Sequence, residues 1–211
     1  MLARQLAPAV RQRLDAQPDV LADALLDGVN LAVWQRGLPE VVAGFAVRLL
    51  ASGESLAQSL TLEIENEAEP SLQALAGDFS ALPGHAEFVA DVAWLVRAYA
   101  CLLEARRIGL RLRVLDKAMC PRFHVDHVPL RLVTTYAGVG SQWLEEGAMD
   151  RRRLGDPAAE PSEGIRQIET GHVALLKGEK WIGNEGAGLI HRSPQPAPGE
   201  RRLLLTLDWL G

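Results

Sequence analysis

At Gly109 the apolar residues stop recurring every three or four positions and begin to alternate, or to gather in short runs broken by glycine and proline. Helices and strands bury different positions, so the two halves call for different elements. Upstream, Phe88, Val89, Val92, Leu95, Val96, Tyr99, Leu102 and Leu103 line one face of a helix expected over His85–Ile108, with Gly109 as its stop. Asp19–Leu26 and Glu40–Ala51 show the same period, and Val29–Trp34 reads as a short strand. Between Ser52 and Pro83 the pattern is mixed and predicts no element. Downstream, strands are expected at Leu110–Val114, Leu130–Tyr136, His172–Leu176, Gly188–His191 and Arg202–Asp208. Leu110-Arg-Leu-Arg-Val114 alternates apolar and basic residues, as a half-buried strand does.

These halves predict an α+β single domain over residues 1–211. Residues 1–108 would be mainly helical, and residues 109–211 would form a barrel or sandwich. The stretch Glu145–Glu169 is polar and reads as a lid or binding loop. A hydrophobic fraction of 48% suits a globular protein, and a net charge of −5 argues against bulk electrostatic binding of nucleic acid. No apolar run reaches the roughly 20 residues of a bilayer span. Met1–Pro8 lacks the parts of a secretory signal, and the two cysteines, Cys101 and Cys120, make no disulfide framework, so a reduced cytoplasmic protein is expected. Oligomeric state leaves no mark in the sequence.

The chemistry concentrates in Cys120-Pro-Arg-Phe-His124-Val-Asp126-His127. On a strand, His124 and Asp126 would share a face, so an imidazole and a carboxylate can converge on one metal ion. With five histidines and eleven aspartates, a His-x-Asp arises by chance about one time in four. Weight comes from its place before an apolar run, from His191 at the end of another, and from Arg201 ten residues later. Two histidines and one carboxylate on one face of an ion leave positions open, as in non-haem Fe(II) oxygenases.

His124-Val-Asp126, His191 and Gly199-Glu-Arg201 together resemble the signature of iron(II)/2-oxoglutarate dioxygenases. That resemblance implies a double-stranded β-helix (jelly roll, cupin-like) in the C-terminal half, with the helical N-terminal half packed against it. It also implies His124, Asp126 and His191 as iron ligands. Arg201 would hold the distal carboxylate of 2-oxoglutarate, with Arg202 as its rival, since neighbours on a strand face opposite ways. Thr134 and Tyr136, by parity with His124 and Asp126, would point inward to cosubstrate or substrate. The implied reaction is oxidative decarboxylation of 2-oxoglutarate coupled to oxidation of a substrate that no motif identifies. A closer resemblance, through Phe123–Leu144 and Gly188–Pro194, is to a bacterial family known as domain of unknown function eighteen twenty-six. Its members tend to be encoded near zinc-homeostasis genes, which keeps open a zinc-binding protein that uses the same triad without oxygenation.

Each residue also has a plainer reading. Cys120 is either a thiolate donor near the metal or a small hydrophobe, and His127, of opposite parity to His124, stands behind the ligands or at the surface. Arg151, Arg152 and Arg153 either recognise an anionic substrate or form a solvated charge cluster. His85 and His172 are expected to be structural. Gly138-Val-Gly140 and Gly183–Gly188 lack the ending of a phosphate loop and read as turns.

Overall fold

Strand β10 (Arg202–Trp209) is the spine of the molecule and is buried along nearly its whole length. The structure, a computed structural model, describes residues 10–65, 71–156 and 158–211. Residues 1–9, read above as carrying no signal, lie outside the described residues. Antiparallel neighbours flank β10, with β4 (Arg107–Leu115) on one side and β5 (Leu130–Ala137) on the other. β3 (Ala57–Glu63) adds to β4 at one edge, and β8 (Val173–Lys177), β2 (Val29–Trp34) and β1 (Arg11–Asp15) extend the sheet beyond β5. A smaller sheet runs β7 (Ile165–Gln167), β6 (Gln142–Leu144), β9 (His191–Arg192). His124 continues it through an isolated antiparallel bridge to His191.

The period of two on β10 separates the interiors. Leu203, Leu205 and Leu207 face α1 (Glu40–Ala51) and α2 (His85–Leu103), where Phe45, Phe88, Val92, Leu95 and Tyr99 complete an apolar layer. Phe88 packs between Phe45 at 4.9 Å and Tyr136 at 4.8 Å between ring centroids. Each fully buried leucine or phenylalanine there stabilises the fold by about 1.5–3 kcal/mol. On the opposite face Leu204 joins Val133, Ala174, Leu176, Leu31 and Val33, which meet Trp143, Ile168 and Leu189 of the smaller sheet and its flanks.

The structure departs from the sequence expectations in several places: the helical period at Asp19–Leu26 forms a 3-10 helix over Pro18–Leu25, and the strand expected at Gly188–His191 is confined to His191–Arg192. The N-terminal half supplies β1, β2 and β3 to the large sheet, so the β-structure is not confined to the C-terminal half. Both β1 and β3 are largely exposed edge strands; β1 has no apolar alternation, whereas β3 carries one in Leu60, Leu62 and, just past its end, Ile64, which the expectation of no element there missed. The long helix ends at Leu103 rather than Ile108, because Glu104 takes a left-handed turn (φ 48°) and Arg107 already opens β4. The polar stretch after β6 is not one open loop. It holds a 3-10 turn at Arg151–Arg153 and strand β7, and Met149, Leu154 and Ile165 pack on Phe123, Leu144 and Ile190. Among the described residues no helix is long and apolar enough to cross a membrane.

Candidate metal centre

His124 and His191 face each other across the bridge that extends the smaller sheet, joined by His124 N–H to His191 O at 3.0 Å and the reciprocal bond at 2.9 Å. Cross-strand pairing brings their rings to 4.5 Å between centroids. His124 Nδ1 bonds the carbonyl of Arg122 at 2.9 Å, and His191 Nδ1 that of Leu189 at 3.0 Å. A carbonyl only accepts, so in the neutral imidazoles Nδ1 carries the hydrogen and each Nε2 keeps its lone pair free. Both Nε2 atoms point at Asp126, His124 at 3.7 Å from Oδ1 and His191 at 3.4 Å from Oδ2. One ligand atom from each of the three residues lies within 4.8 Å of the others, a spacing that could hold one metal ion.

Burial disfavours charge at this site, yet the Asp126 carboxyl is held at about 2 by the His191 imidazole beside it and by the nearby Arg131 guanidinium. His124 is lowered by burial and by the neighbouring His191, which favours the neutral form a metal needs. Asp126 is fixed from two directions. Arg131 donates to its Oδ2 at 2.7 Å, and Arg131 is in turn clamped by Asp208, with Nε to Oδ1 at 2.6 Å. On the backbone side, Glu179 N–H donates to Asp126 O at 2.9 Å and Gly178 N–H to Pro129 O at 2.9 Å. Gly178 is obligatory for that approach, because a Cβ there would stand 2.6 Å from Asp126 O.

Of the two arginines, Arg202 opens β10 and lies behind the cavity, bonded to two residues that line it, while Arg201, just before the strand, turns away. Arg201 bonds the carbonyls of Leu50 and Glu54 near the end of α1, so it cannot serve the cavity. Arg202 is fully buried (0% exposed), with Nη2 at 3.1 Å from Thr135 Oγ1 and 3.0 Å from Ser141 Oγ. Its Nη1 reaches Ser193 Oγ at 3.4 Å, and Nε has no partner. Burial lowers it to about 10, and no carboxylate of a described residue neutralises it. A buried guanidinium without a counter-charge is costly, and a carboxylate or other anion would satisfy it. Ser141 and Ser193 line the same cavity of about 90 Å³ as His124, Asp126 and His191.

The remaining sequence candidates divide. Thr134 and Tyr136 face the helices instead of the cavity. Tyr136 donates to Asp91 Oδ2 at 2.6 Å and packs on Phe88. The parity carried forward from His124 fails because residues 127–129 bend around Pro129 before β5 starts at Leu130. The inward positions of β5 are thus Arg131, Val133 and Thr135. Cys120 is exposed and lines the cavity, but its sulfur is not grouped with the three ligand atoms. His127 is exposed. Arg151, Arg152 and Arg153 pair with Glu146, Asp150 and Asp156, so the triplet is locally neutralised. His85 bonds Leu75 O at 2.9 Å, a structural contact. Sequence reasoning missed Arg131, Asp208, Thr135, Ser141 and Ser193. The shared parity of Arg202, Thr206 and Asp208 against Leu203, Leu205 and Leu207 was the legible sign of which face is polar.

The fold resembles solved structures at low identity. A Shewanella oneidensis protein put forward as an oxygenase superposes with a TM-score of 0.50 at 11% identity, over 95% of this chain and 89% of that one. A prolyl-4-hydroxylase from Pseudomonas putida matches with a TM-score of 0.45 at 15% identity, over 90% of this chain and 96% of its own. The rice dioxygenase for auxin oxidation matches with a TM-score of 0.45 at 13% identity over 82% of this chain, which spans 64% of that protein's length. Such identities establish likeness of fold alone. No curated protein matches the chain. The family model described as "Protein of unknown function (DUF1826)" matches residues 15–208.

Proposed function

The chain belongs to the DUF1826 family, whose description supplies no activity, and we propose from the site itself that it is an iron(II)/2-oxoglutarate-dependent oxygenase. The observation that carries this reading is the pairing of a two-histidine, one-carboxylate cluster with a buried, unneutralised Arg202 behind the same cavity. His124 Nε2, His191 Nε2 and an Asp126 oxygen would hold Fe(II), a donor set that suits this ion and leaves coordination positions open. Bound there, iron and 2-oxoglutarate would supply oxidative decarboxylation and oxidation of a second substrate.

The protein's own residues do the positioning. Arg202 offers its rigid fork to the distal carboxylate of 2-oxoglutarate, while Thr135 and Ser141 keep the guanidinium in place. Arg131 holds Asp126 oriented through its second oxygen, and Asp208 fixes Arg131. Val133 and Leu204 form an apolar wall beside His124, Asp126 and His191. The same three ligands would also take zinc in a metal-handling protein, but such a role has no use for a buried anion acceptor at Arg202.

Anaerobic addition of Fe(II) and then 2-oxoglutarate to the purified protein tests the reading. A weak visible charge-transfer band is expected, lost in His191→Ala and weakened about 10–100-fold in apparent affinity by Arg202→Met, the loss of a charge-assisted pair. Arg201→Met should leave it unchanged. Tight zinc binding with no thermal stabilisation by 2-oxoglutarate would replace this reading with the metal-handling one.

A further inference from the structure

The alternation Leu110-Arg-Leu-Arg-Val114, unused by the metal site, proves to border it. On β4, Leu110 and Leu112 enter the helix-side core, so Arg111 and Arg113 stand on the same face of the sheet as Arg202, Leu204 and Thr206 of β10. They line a cavity of about 250 Å³ with Met119, Arg131, Leu204 and Thr206, and those last four residues also line the metal-site cavity. The two spaces are therefore contiguous, with Arg131 on their shared wall.

Charge in this double cavity does not balance. Arg131 and Arg111 share Asp208, and Arg131 also takes Asp126, whose charge a bound metal would claim. Arg113 has no carboxylate partner among the described residues. Its Nη1 bonds the carbonyls of Gln58 and Leu112, and its Nη2 meets Ser59 Oγ at 2.8 Å. Those bonds anchor the guanidinium and leave N–H groups free. Arg111 spends only Nη1 on Asp208, at 2.8 Å. With Arg202 engaged by the cosubstrate, positive charge remains at Arg111 and Arg113, next to the apolar surfaces of Met119 and Leu204.

We propose that this second cavity is the substrate site and that it recognises an oxyanion, a carboxylate or phosphate on a small molecule with an apolar part, through Arg111 and Arg113. The inference rests on the oxygenase reading for the word substrate, while the anion site stands on its own geometry. Guanidinium groups bind either oxyanion by paired N–H donors, and a partly enclosed cleft strengthens that attraction. An anion held there would place its apolar part against Leu204 and Thr206, toward the metal ligands.

The test uses the full chain loaded with Mn(II) and 2-oxoglutarate, which does not turn over, titrated calorimetrically with benzoate, phenyl phosphate and neutral benzyl alcohol. Binding of at least one anion and not of the alcohol is expected. Arg113→Met should weaken it about tenfold or more and Arg111→Met by less, each leaving the thermal shift produced by 2-oxoglutarate unchanged. The better anion identifies the source as a carboxylate or a phosphate. Should Arg113→Met not fold, Arg113→Lys and the half-exposed Arg111→Met carry the comparison. Binding of neither anion, equal binding of the alcohol, or parallel loss of 2-oxoglutarate binding in Arg113→Met would overturn the proposal. Anion binding that depends on Arg113 in a protein indifferent to 2-oxoglutarate would uphold the anion site and remove the oxygenase reading.

Discussion

Arg202 is set apart from the other buried arginines by what it lacks. Ion pairs elsewhere in the molecule, such as Arg36 with Asp91 at 2.6 Å, satisfy buried guanidinium groups with carboxylates, whereas Arg202 has only hydroxyls. Burying a charge without a counter-charge is costly, so an apolar side chain of similar volume in its place removes that cost. Arg202→Met is accordingly predicted to keep its unfolding free energy within about 1 kcal/mol of the parent, or above it, in urea denaturation, while losing response to 2-oxoglutarate. A purely structural arginine would instead cost stability when removed. Tyr136 provides the converse case: Tyr136→Phe is expected to cost about 1 kcal/mol through the lost bond to Asp91, with metal and 2-oxoglutarate affinities unaltered. The cluster of His124, Asp126 and His191 was legible in the sequence because its residues are few, chemically distinctive and placed at strand-like segments. Choosing between Arg201 and Arg202 required the parity of the whole strand, and Thr134 and Tyr136 were misplaced because parity does not survive the bend at Pro129.

Elements differ in how far sequence announces them. β2, α1 and β10 carry strong apolar patterns and appear where expected, since burial of one or both faces imposes the pattern. Edge strand β1 buries too little to be marked, β6 and β7 are too short at three residues each to show a period, and β3 is marked only by Leu60, Leu62 and the adjoining Ile64 within a polar stretch. The most consequential unmarked contact joins the segment after His124 to the turn after β8, where Gly178 admits the Asp126 backbone. Gly178→Ala must push that segment away and so displace a ligand without altering it. Co(II) or Mn(II) affinity should fall about 10–100-fold, as for other changes that only orient a ligand, while the circular-dichroism spectrum is preserved. Unchanged affinity would mean that Asp126 is positioned by Arg131 alone.

At the scale of the whole molecule, the helices, the large sheet and the small sheet divide two kinds of work. The apolar layer between helices and sheet is the larger core, while the space between the two sheets holds a smaller apolar cluster together with the charged groups and the candidate metal ligands. Ligands arriving from distant parts of the chain meet because the smaller sheet pairs His124 with His191, and β10 carries Arg202 past the other side of the same cavity. Binding of metal and 2-oxoglutarate to this prearranged site should raise the melting temperature in a concentration-dependent way. The most direct test is the anomalous difference map of crystals grown anaerobically with Fe(II) and 2-oxoglutarate. The account predicts one strong iron peak bonded to His124 Nε2, His191 Nε2 and Asp126, with the distal carboxylate of 2-oxoglutarate against Arg202. An iron peak elsewhere, or a site that remains without metal at saturating Fe(II), would contradict it.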